Sequence, residues 1–426
     1  MEDAARPMAS LQRLSVIGLG KLGACMAATF AQRGFNVLGV DNNPEVVRKV
    51  NAGLPPVDEP LMAETVADAK GRLRATTDAK EAANTDASFV IVPSPSLPDG
   101  SFSNEFLMRA LQPIAQAVKT AGKKNHLFIV SSTTTPSACR KVIIPMLEQQ
   151  IGGACGKKFG FCYNPEFIAL GNVIRGLLEP DLVLIGESDK RSGDLLAELY
   201  HRYNTNRPTI ARMSVTSAEL AKISLNSYIT MKISFTNQLR MIAEQYADTD
   251  IHQILDAIGA DSRIGKKYLR AGLSYGGPCF PRDNRLVSYA ARQAGLGAAL
   301  ADATDAVNES AKQRLAEQAQ KVVSSGETAV VLGMAYRPGS YIVEESAGLH
   351  VAKVLKDAGC RVLVHDCAAN PQNSPSLLQF EPLGLLGKLK TEKAVKAVLI
   401  CCPWPEYRKV SLPKGVKVFD PWGVRA

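Results

Sequence analysis

The chain has 426 residues, of which 46% are hydrophobic and 21% are charged. These are ordinary values for a folded globular protein, so they exclude a largely disordered chain, and at about 150 residues per domain the length indicates two or three domains. Fifty basic and 41 acidic residues give a net charge of +9. Because the basic residues are scattered and not concentrated among aromatic residues, we expect a small anionic ligand and no nucleic-acid partner.

The sequence shows no sign of a membrane or secreted protein. No stretch approaches the roughly 18 consecutive apolar residues of a membrane helix, and the segment MEDAARPMASLQR has no apolar core of a signal peptide. Nine irregularly spaced cysteines without a CxxC pair fit neither a disulfide framework nor a zinc site. We therefore expect a cytoplasmic protein without a bound metal and without membrane association.

Short apolar strands alternate with helical stretches in two parts of the chain, a pattern typical of parallel α/β sheets. The first part has predicted strands at residues 14–18, 36–40, 87–92, 127–131, 160–163 and 182–186. The second has predicted strands at 328–333, 361–366, 397–402 and 416–419, with a helix at 346–358. Residues 214–246 contain neither Gly nor Pro and predict one long helix between the two parts. We therefore predict an α/β fold of two Rossmann-like, doubly wound domains joined by a central helical region.

The first predicted strand is followed by Gly18-Leu-Gly-Lys-Leu-Gly23, the glycine pattern of a dinucleotide-binding turn. Gly18 permits the tight turn, Gly20 lets the backbone approach a pyrophosphate at the helix N-terminus, and Gly23 allows close helix packing. Asp41 lies 21 residues after Gly20, where its carboxylate can accept both ribose hydroxyls. The pattern predicts NAD and not NADP, because a 2′-phosphate would meet a negative charge. The alternative is a packed glycine turn with Asp41 as a helix cap.

A second group of residues surrounds a single cysteine in the central region. Cys279 follows Gly276, Gly277 and a proline, in a loop whose glycines let the backbone come close to a ligand. A cysteine held in this way can be a nucleophile toward an aldehyde when nearby cations favour its thiolate, and Asp283 can activate a water. The alternative is a buried structural cysteine in a glycine turn.

The long predicted helix carries a candidate pair of its own. Lys222 and Asn226 are four residues apart and therefore share one helix face. A lysine beside a substrate hydroxyl can stabilise an alkoxide or, when desolvated, act as a base. Glu166, which follows a predicted strand, is a second candidate acid or base. The alternative for the helix pair is an ordinary solvated face.

Taken together, these motifs make the chain resemble the UDP-glucose/GDP-mannose dehydrogenase family. The resemblance runs from about residue 14 to residue 420. Its anchors are the glycine turn with Asp41, Ser94-Pro95, Ser132-Thr133, Asn164–Phe167, Lys222 with Asn226, Arg263–Gly265, Gly276–Asp283 and Gly333–Gly339.

The resemblance implies an NAD-binding Rossmann domain at residues 1–205, a central helical dimerisation and catalytic domain at 206–315, and a C-terminal nucleotide-sugar (UDP) domain at 316–426. It further implies a homodimer or higher homo-oligomer that oxidises the C6 hydroxymethyl of a nucleotide sugar twice, with two NAD⁺ consumed, to a uronic acid. UDP-glucose is the expected substrate, and a UDP-N-acetylhexosamine or GDP-mannose is the alternative.

Roles carried over from the family fall on matching positions. Cys279 would form a thiohemiacetal and then a thioester, Lys222 would stabilise the oxyanions, Asn226 would help hold the substrate, and Asp283 would activate or position water. Glu166 and Thr133 would position the catalytic water, with Glu166 a candidate base. The expected contacts to NAD are Gly18, Gly20, Gly23, Asp41, Ser94, Thr133 and Arg282. The expected contacts to the substrate are Glu166, Phe167, Lys222, Asn226, Arg263 across the dimer interface, Tyr268, Gly276 and Arg337.

Four positions depart from the family pattern. Leu170 stands where the family usually has Glu, and Glu344 stands where an Arg is expected to contact NAD. Trp422 replaces a substrate-contacting Arg, and Pro278 replaces the common Ser before the cysteine. These changes do not affect the residues predicted to carry out the chemistry. They leave undecided which sugar and which nucleobase the substrate contains.

Two other functions remain as alternatives. A two-electron hydroxy-acid dehydrogenase would explain the glycine turn, Lys222 and Asn226, but it has no use for Cys279 or the second α/β part. A non-catalytic nucleotide-sugar binding protein would explain the departures, but it predicts loss of catalytic residues that are all present. The number of NADH formed per sugar separates the three.

Overall fold

The computed structural model describes residues 10–69, 71–168, 171–392 and 394–425. The chain divides into two compact units, Met1–Lys222 and Ile223–Ala426. Each unit contains one sheet with apolar side chains buried on both of its faces.

The first unit is built on an eight-stranded sheet in the order β3-β2-β1-β4-β5-β6-β7-β8. Its strands are β1 (Arg13–Ile17), β2 (Asn36–Val40), β3 (Leu73–Thr76), β4 (Ala87–Val90), β5 (His126–Val130), β6 (Phe159–Tyr163), β7 (Leu182–Glu187) and β8 (Thr209–Ser214). All neighbouring strands are parallel except β6 and β7. The central strands are continuous apolar runs because helices cover the sheet on both faces.

The described residues of this unit before β8 form the α-helices α1 (Lys21–Gln32), α2 (Pro44–Asn51), α3 (Met62–Asp68), α4 (Glu105–Thr120), α5 (Ile144–Ile151), α6 (Val173–Leu178) and α7 (Lys190–Tyr203). Buried residues of α1, α3, α6 and α7 form one core cluster with the sheet. Buried residues of α4 and α5 form the other. The helix α8 (Val215–Ala243) begins in this unit directly after β8 and continues into the second unit.

The second unit combines helices with a smaller sheet. Its further helices are α9 (Ile251–Gly259), α10 (Phe280–Gln293), α11 (Ala299–Gln320) and α12 (Ala347–Asp357). Its strands are β9 (Thr328–Leu332), β10 (Arg361–His365), β11 (Glu381–Pro382), β12 (Val395–Ile400) and β13 (Lys417–Phe419). They form a wholly parallel sheet in the order β11-β10-β9-β12-β13.

The predicted α/β fold with a central helical region is confirmed, and the differences have local causes. Strands β3 and β8 were not predicted because they are partly exposed edge strands with Arg and Thr in place of a continuous apolar run. The long helix begins at Val215, since Ser214 still belongs to β8, and it ends three residues before the predicted limit. Six predicted strands extended one or two residues too far, and in two of them the cause is a glycine, because Gly18 and Gly333 already belong to turns.

One strand–turn–helix arrangement occurs in both units. Gly18 after β1 and Gly333 after β9 have φ angles of +92° and +94°, which glycine adopts readily. A Cβ on Gly23 in α1 would overlap the carbonyl oxygen of Gly18, and a Cβ on Gly348 in α12 would overlap that of Gly333. Both helices therefore pack against their strands through a glycine. The sequence showed only the first pattern, because the second pair of glycines is separated by a much longer loop.

None of the helices in the described ranges has the length and apolar character of a membrane span.

Candidate functional site

A cavity of about 700 Å³ opens in the first unit at the carboxyl ends of β1, β2 and β4. The sheet order reverses between β1 and β4, and ligands of open α/β sheets bind at such a point. Gly18, Gly20, Lys21 and Asp41 are among its lining residues. Four of the predicted cofactor contacts, the three glycines of the turn and Asp41, are thus together around one cavity.

The turn into α1 is open to a phosphate group. Gly20 is the residue before the helix, no side chain caps the helix there, and the first turn carries no acidic residue. A Cβ added at Gly20 would meet nothing within 4 Å, so this glycine is not required by packing inside the unit. Backbone N–H groups at a helix N-terminus bind phosphate well, and the geometry therefore fits the pyrophosphate of NAD.

Asp41 holds the glycine turn and does not cap a helix. One carboxylate oxygen accepts the backbone N–H of Leu19 at 2.7 Å, and the other accepts that of Asn43 at 2.9 Å. The residue that caps α2 is Asn43, whose side chain accepts the N–H of Glu45 at 3.0 Å. The alternative of Asp41 as a helix cap is therefore wrong. Each carboxylate oxygen has further acceptor capacity for a ribose hydroxyl.

The loops that carry Ser94 and Thr133 are tied to each other. The hydroxyl of Ser132, after β5, donates to the carbonyl of Val92 at 2.7 Å and accepts the N–H of the same residue at 2.9 Å. Ser94 follows two residues later, and Thr133 is next to Ser132. One serine thus fixes the relative position of the two loops in which cofactor contacts were predicted.

A buried glutamate that the sequence did not single out supports the same region. Glu219 lies one turn before Lys222 on α8 and is fully buried. Its carboxylate accepts hydrogen bonds of 2.7–2.9 Å from Thr134 Oγ1, Ser137 N and Cys139 N. It therefore holds the loop after Thr133 in place. The signal available in the sequence was an acidic residue three positions before the candidate lysine.

Glu166, Phe167 and Lys222 lie together in the first unit. The Lys222 ammonium is buried and lies 4.8 Å from the centre of the Phe167 ring. Burial raises the pKa of Glu166 to about 7, although the Tyr200 hydroxyl at 3.3 Å and the charge of Lys222 oppose the rise. The same hydroxyl donates to Asn164 Oδ1 at 2.5 Å. A carboxyl group that titrates near neutral pH suits general acid–base work. The alternative of a solvated face is wrong for Lys222.

Cys279 lies at the N-terminus of α10, where its carbonyl accepts the N–H of Asp283 at 2.9 Å. It is exposed, so the alternative of a buried structural cysteine is wrong. The positive end of a helix favours a thiolate over a thiol. Asp283 is buried and accepts the Asn226 amide at 2.6 Å, which joins α10 to α8. The second unit thus brings the cysteine, the carboxylate and the amide to adjoining positions.

Two buried asparagines hold the backbone of the loop before Cys279. Asn237 on α8 accepts the N–H of Gly272 at 3.0 Å, and the carbonyl of that glycine accepts Arg240 Nε at 3.0 Å. Asn308 on α11 accepts the N–H of Tyr275 at 2.8 Å and donates to its carbonyl at 3.1 Å. Sequence reasoning missed these side chains because a single asparagine in a helix carries no motif.

The remaining predicted substrate contacts have different surroundings. Arg263 is 87% exposed and pairs with Asp261 of its own loop at 2.7 Å. Tyr268 is exposed and has a φ of +61°. Arg337 Nε donates to the Tyr336 hydroxyl at 2.9 Å. A Cβ at Gly276 would lie 2.5 Å from the carbonyl oxygen of Glu345. The need for glycine at that position therefore comes from packing within the unit, whereas the sequence suggested the approach of a ligand.

The departures from the family pattern can be placed in part. Glu344 has an exposed side chain. Trp422 packs its ring against Gly272 and donates its indole N–H to the Cys401 carbonyl at 3.1 Å. Arg282, which is a predicted contact to NAD and not a departure, lies in the first turn of α10. Leu170 lies outside the described residues. The part of the chain that is described contains no group of three His, Cys, Asp or Glu side chains suited to a metal.

Nearly the whole chain is similar in sequence to known proteins. The UDP-glucose/GDP-mannose dehydrogenase family matches through its NAD binding domain at residues 12–204, its central domain at 216–310 and its UDP binding domain at 330–424.

Two similar sequences and one similar structure show how far the likeness extends. The chain is 34% identical to the UDP-glucose 6-dehydrogenase AglM of Haloferax volcanii, over 84% of this chain and 83% of that one. It is 30% identical to the GDP-mannose 6-dehydrogenase of Pseudomonas putida, over 83% and 80%. A UDP-glucose dehydrogenase structure from Pyrobaculum islandicum matches with a TM-score of 0.89 and 31% identity, over 99% of this chain and 96% of that one.

Proposed function

The chain belongs to the UDP-glucose/GDP-mannose dehydrogenase family, and from this premise we propose that it oxidises the C6 hydroxymethyl group of UDP-glucose to the carboxylate. It is an NAD-dependent nucleotide-sugar 6-dehydrogenase. UDP-glucose is preferred because two of the similar proteins act on it, and GDP-mannose or a UDP-N-acetylhexosamine is the alternative. The observation that carries the four-electron reaction is the exposed Cys279 at the N-terminus of α10, beside the Asp283–Asn226 pair.

The residues of the first unit fit NAD. Bound NAD⁺ would accept a hydride from the sugar carbon in each of the two oxidations. The open turn at Gly20 suits the pyrophosphate, and Asp41 suits the adenosine ribose. Ser94, Thr133 and Arg282 are proposed as further contacts, of which Ser94 and Thr133 are on the loops tied by Ser132.

The first oxidation converts the C6 alcohol to an aldehyde. A negative charge develops on the C6 oxygen as its proton leaves, and a cation near this oxygen lowers the barrier. We assign this role to Lys222, whose ammonium is buried and therefore acts at a low local dielectric. Asn226 is one helical turn away on α8 and is proposed to hold the substrate.

The second oxidation needs a covalent adduct. The Cys279 sulfur forms a bond to the aldehyde carbon, and the carbonyl oxygen becomes the hydroxyl of a thiohemiacetal. Oxidation of this adduct gives a thioester. One water then adds to the thioester carbon, the C–S bond breaks, and the carboxylate product and the thiolate are released. Asp283, Glu166 and Thr133 are proposed to position or activate this water, with Glu166 as the base once its proton has left.

Substrate binding would involve residues from several loops. We propose that Phe167, Tyr268, Gly276 and Arg337 contact the nucleotide sugar. Arg263 is proposed to reach the sugar of a second copy, which fits a side chain that is 87% exposed and not enclosed by its own chain.

The same premise supports a division into domains at residues 1–205, 206–315 and 316–426, close to the ranges at which the three family domains match. We propose a homodimer built on α8, where Tyr228, Phe235 and Ile242 form an exposed apolar stripe. We also propose a cytoplasmic location. All nine cysteines lie in the described part of the chain and remain thiols, as expected in a reducing compartment.

The test is a substrate panel of UDP- and GDP-hexoses with NAD⁺, in which NADH is followed and the sugar product is identified. We expect UDP-glucose to give the highest kcat/KM and two NADH per sugar. One NADH per sugar would favour the two-electron alternative, and no NADH from any sugar would favour the binding protein.

Replacement of the nucleophile sharpens this test. In Cys279→Ser the overall turnover should be lost while substrate binding remains, because a serine oxygen is a much poorer leaving group and its ester hydrolyses slowly. Cys367→Ser, a change at the other exposed thiol of the second unit, should retain two NADH per sugar. A Cys279→Ser enzyme that turns over at the wild-type rate would exclude the covalent mechanism.

A further inference from the structure

The loop that ends at Cys279 rests on a short segment just before α12. The N–H of Gly277 donates to the Glu344 carbonyl at 2.8 Å. At Gly276, a Cβ would lie 2.5 Å from the Glu345 carbonyl oxygen, so the two backbones are in direct contact. The position of Cys279, two residues after Gly277, therefore depends on the conformation of residues 344–345.

That conformation is an unusual one. Glu345 has a φ of +53°, in the left-handed region that residues with a side chain rarely adopt. Such a residue keeps its conformation only where its surroundings enforce it, and residues of this kind are concentrated at functional sites. A glycine would occupy the same position without strain. Contacts with other residues must therefore hold Glu345 in the left-handed conformation, because its own backbone preference does not.

The restraint is an ion pair with the helix that follows Cys279. Arg285 on α10 donates to the two carboxylate oxygens of Glu345 at 2.6 and 3.1 Å. Its Nε donates to Asp305 of α11 at 3.1 Å, and the hydroxyl of Tyr275, in the cysteine loop itself, donates to the same aspartate at 3.2 Å. The guanidinium of Arg285 lowers the pKa of Glu345, so the pair is ionised at neutral pH. These contacts connect Tyr275 in the cysteine loop, through Asp305 and Arg285, to Glu345. The backbone of Glu345 in turn contacts Gly276 of the same loop.

We propose that Arg285 and Glu345 are positioning residues for Cys279: their ion pair holds residues 344–345 in the turn on which the cysteine loop rests. The pair thereby keeps the sulfur at the N-terminus of α10, where the helix dipole favours the thiolate. The step that depends on it is the attack of the thiolate on the aldehyde. The role of the pair in this catalytic step rests on the proposed function, whereas its role in placing the thiol does not.

The test separates positioning from simple stabilisation. Glu345→Gly removes the carboxylate together with the energetic penalty of the left-handed conformation, so the variant should fold with a Tm close to that of the wild type. Because glycine adopts positive and negative φ about equally readily, nothing in this variant selects the turn on which the cysteine loop rests. Glu345→Gln retains a side chain that can accept one hydrogen bond, and Arg285→Lys retains the charge without the two-point contact. The matched control is Arg292→Ala, which removes the exposed ion pair between Arg292 of α10 and Asp302 of α11. Arg285 and Asp305 connect the same two helices.

The first measurement needs no substrate. The wild type and its variants are treated with iodoacetamide, and modification of Cys279 is followed by mass spectrometry, with the exposed Cys367 as the internal reference. Relative to Cys367, alkylation of Cys279 should slow about fivefold to tenfold in Glu345→Gly, because the thiolate leaves the helix terminus. The slowing should be smaller in Glu345→Gln and Arg285→Lys, and Arg292→Ala should match the wild type.

The second measurement follows the two oxidations separately. In Glu345→Gly, kcat for the aldehyde should fall about tenfold to a hundredfold, kcat for the alcohol should change little, and the NADH formed per sugar should drop from two toward one as aldehyde escapes. Equal loss of both steps would mean a general structural defect and would overturn the proposal. Unchanged alkylation with two NADH per sugar in Glu345→Gly would also overturn it. A wild type that forms no NADH, but shows the contrast in alkylation, would refute the proposed function and leave the positioning role supported.

Discussion

At the scale of single residues, Asp41 determines which dinucleotide is used. Its carboxylate lies at the end of β2 and lines the cavity at the glycine turn. A 2′-phosphate at this position would face a like charge, which costs several kcal/mol. We therefore expect kcat/KM for NAD⁺ to exceed that for NADP⁺ by at least about a hundredfold. Asp41→Asn keeps an acceptor for the Leu19 N–H and should narrow this ratio. Equal kcat/KM for the two cofactors in the wild type would contradict the assignment.

Glu166 should leave a signature in the pH dependence of stability. Burial raises the pKa of this carboxyl to about 7, so the folded protein keeps a proton that the unfolded chain loses near pH 4.5. The free energy of unfolding contributed by Glu166 is fully present below pH 4.5 and is lost as the pH rises through about 7. Its size is on the order of 3 kcal/mol.

Glu166→Gln, which cannot titrate, should lack this contribution. Urea unfolding of both proteins between pH 4.5 and 8 measures the difference, and Glu64→Gln at an exposed site of the same unit is the control. If wild type and Glu166→Gln followed parallel curves over this range, the raised pKa of Glu166 would be refuted.

At the scale of elements, the glycines of the first strand–turn–helix unit should separate stability from cofactor binding. A Cβ at Gly23 would overlap the carbonyl of Gly18, whereas a Cβ at Gly20 meets nothing within 4 Å. Gly23→Ala should therefore lower the free energy of unfolding by about 1–3 kcal/mol or more. Gly20→Ala should change stability by less than about 0.5 kcal/mol, yet raise KM for NAD⁺, because the added methyl group would obstruct a pyrophosphate bound at this turn.

The second unit offers a parallel test of the same packing. Gly348→Ala should destabilise for the same reason as Gly23→Ala, since its Cβ would overlap the Gly333 carbonyl. Differential scanning calorimetry and NAD⁺ titration of the three variants provide the measurements. A Gly348→Ala protein as stable as the wild type would contradict close packing of α12 against β9 through this glycine.

At the scale of the whole molecule, the prediction concerns assembly. Tyr228, Phe235 and Ile242 are spaced by seven residues on α8 and are 61%, 50% and 48% exposed. Seven residues are nearly two helical turns, so these side chains form one apolar stripe, which a second copy would cover. Sedimentation should show at least a dimer, and Phe235→Asp with Ile242→Asp should shift it to monomer and abolish turnover.

Leu300→Asp, at an even more exposed leucine of the same unit (75%), should leave the assembly unchanged. A fully active monomer would contradict both the dimer and the role of Arg263 across its interface.

The sequence by itself determined the features that arise from local chemistry. The turn Gly18–Gly23 and Asp41 predicted the NAD site, because tight turns need particular residues and the next parallel strand ends at the same sheet edge. The absence of Gly and Pro predicted α8 to within a few residues. The order of motifs along the chain was enough to indicate the family, although the sugar and the nucleobase were left open.

Only the tertiary structure decided which residues support the predicted ones. Glu219, Asn237 and Asn308 hold functional loops through backbone contacts, and such contacts leave no pattern in a single sequence. Arg285 and Glu345 are 60 residues apart, and nothing local reveals that they meet. The exposure of Cys279 is likewise a property of packing, since the same residue type is buried at six of the nine cysteine positions. Local propensity and motif spacing act over a few residues, whereas burial and long-range hydrogen bonds exist only once the chain has folded back on itself.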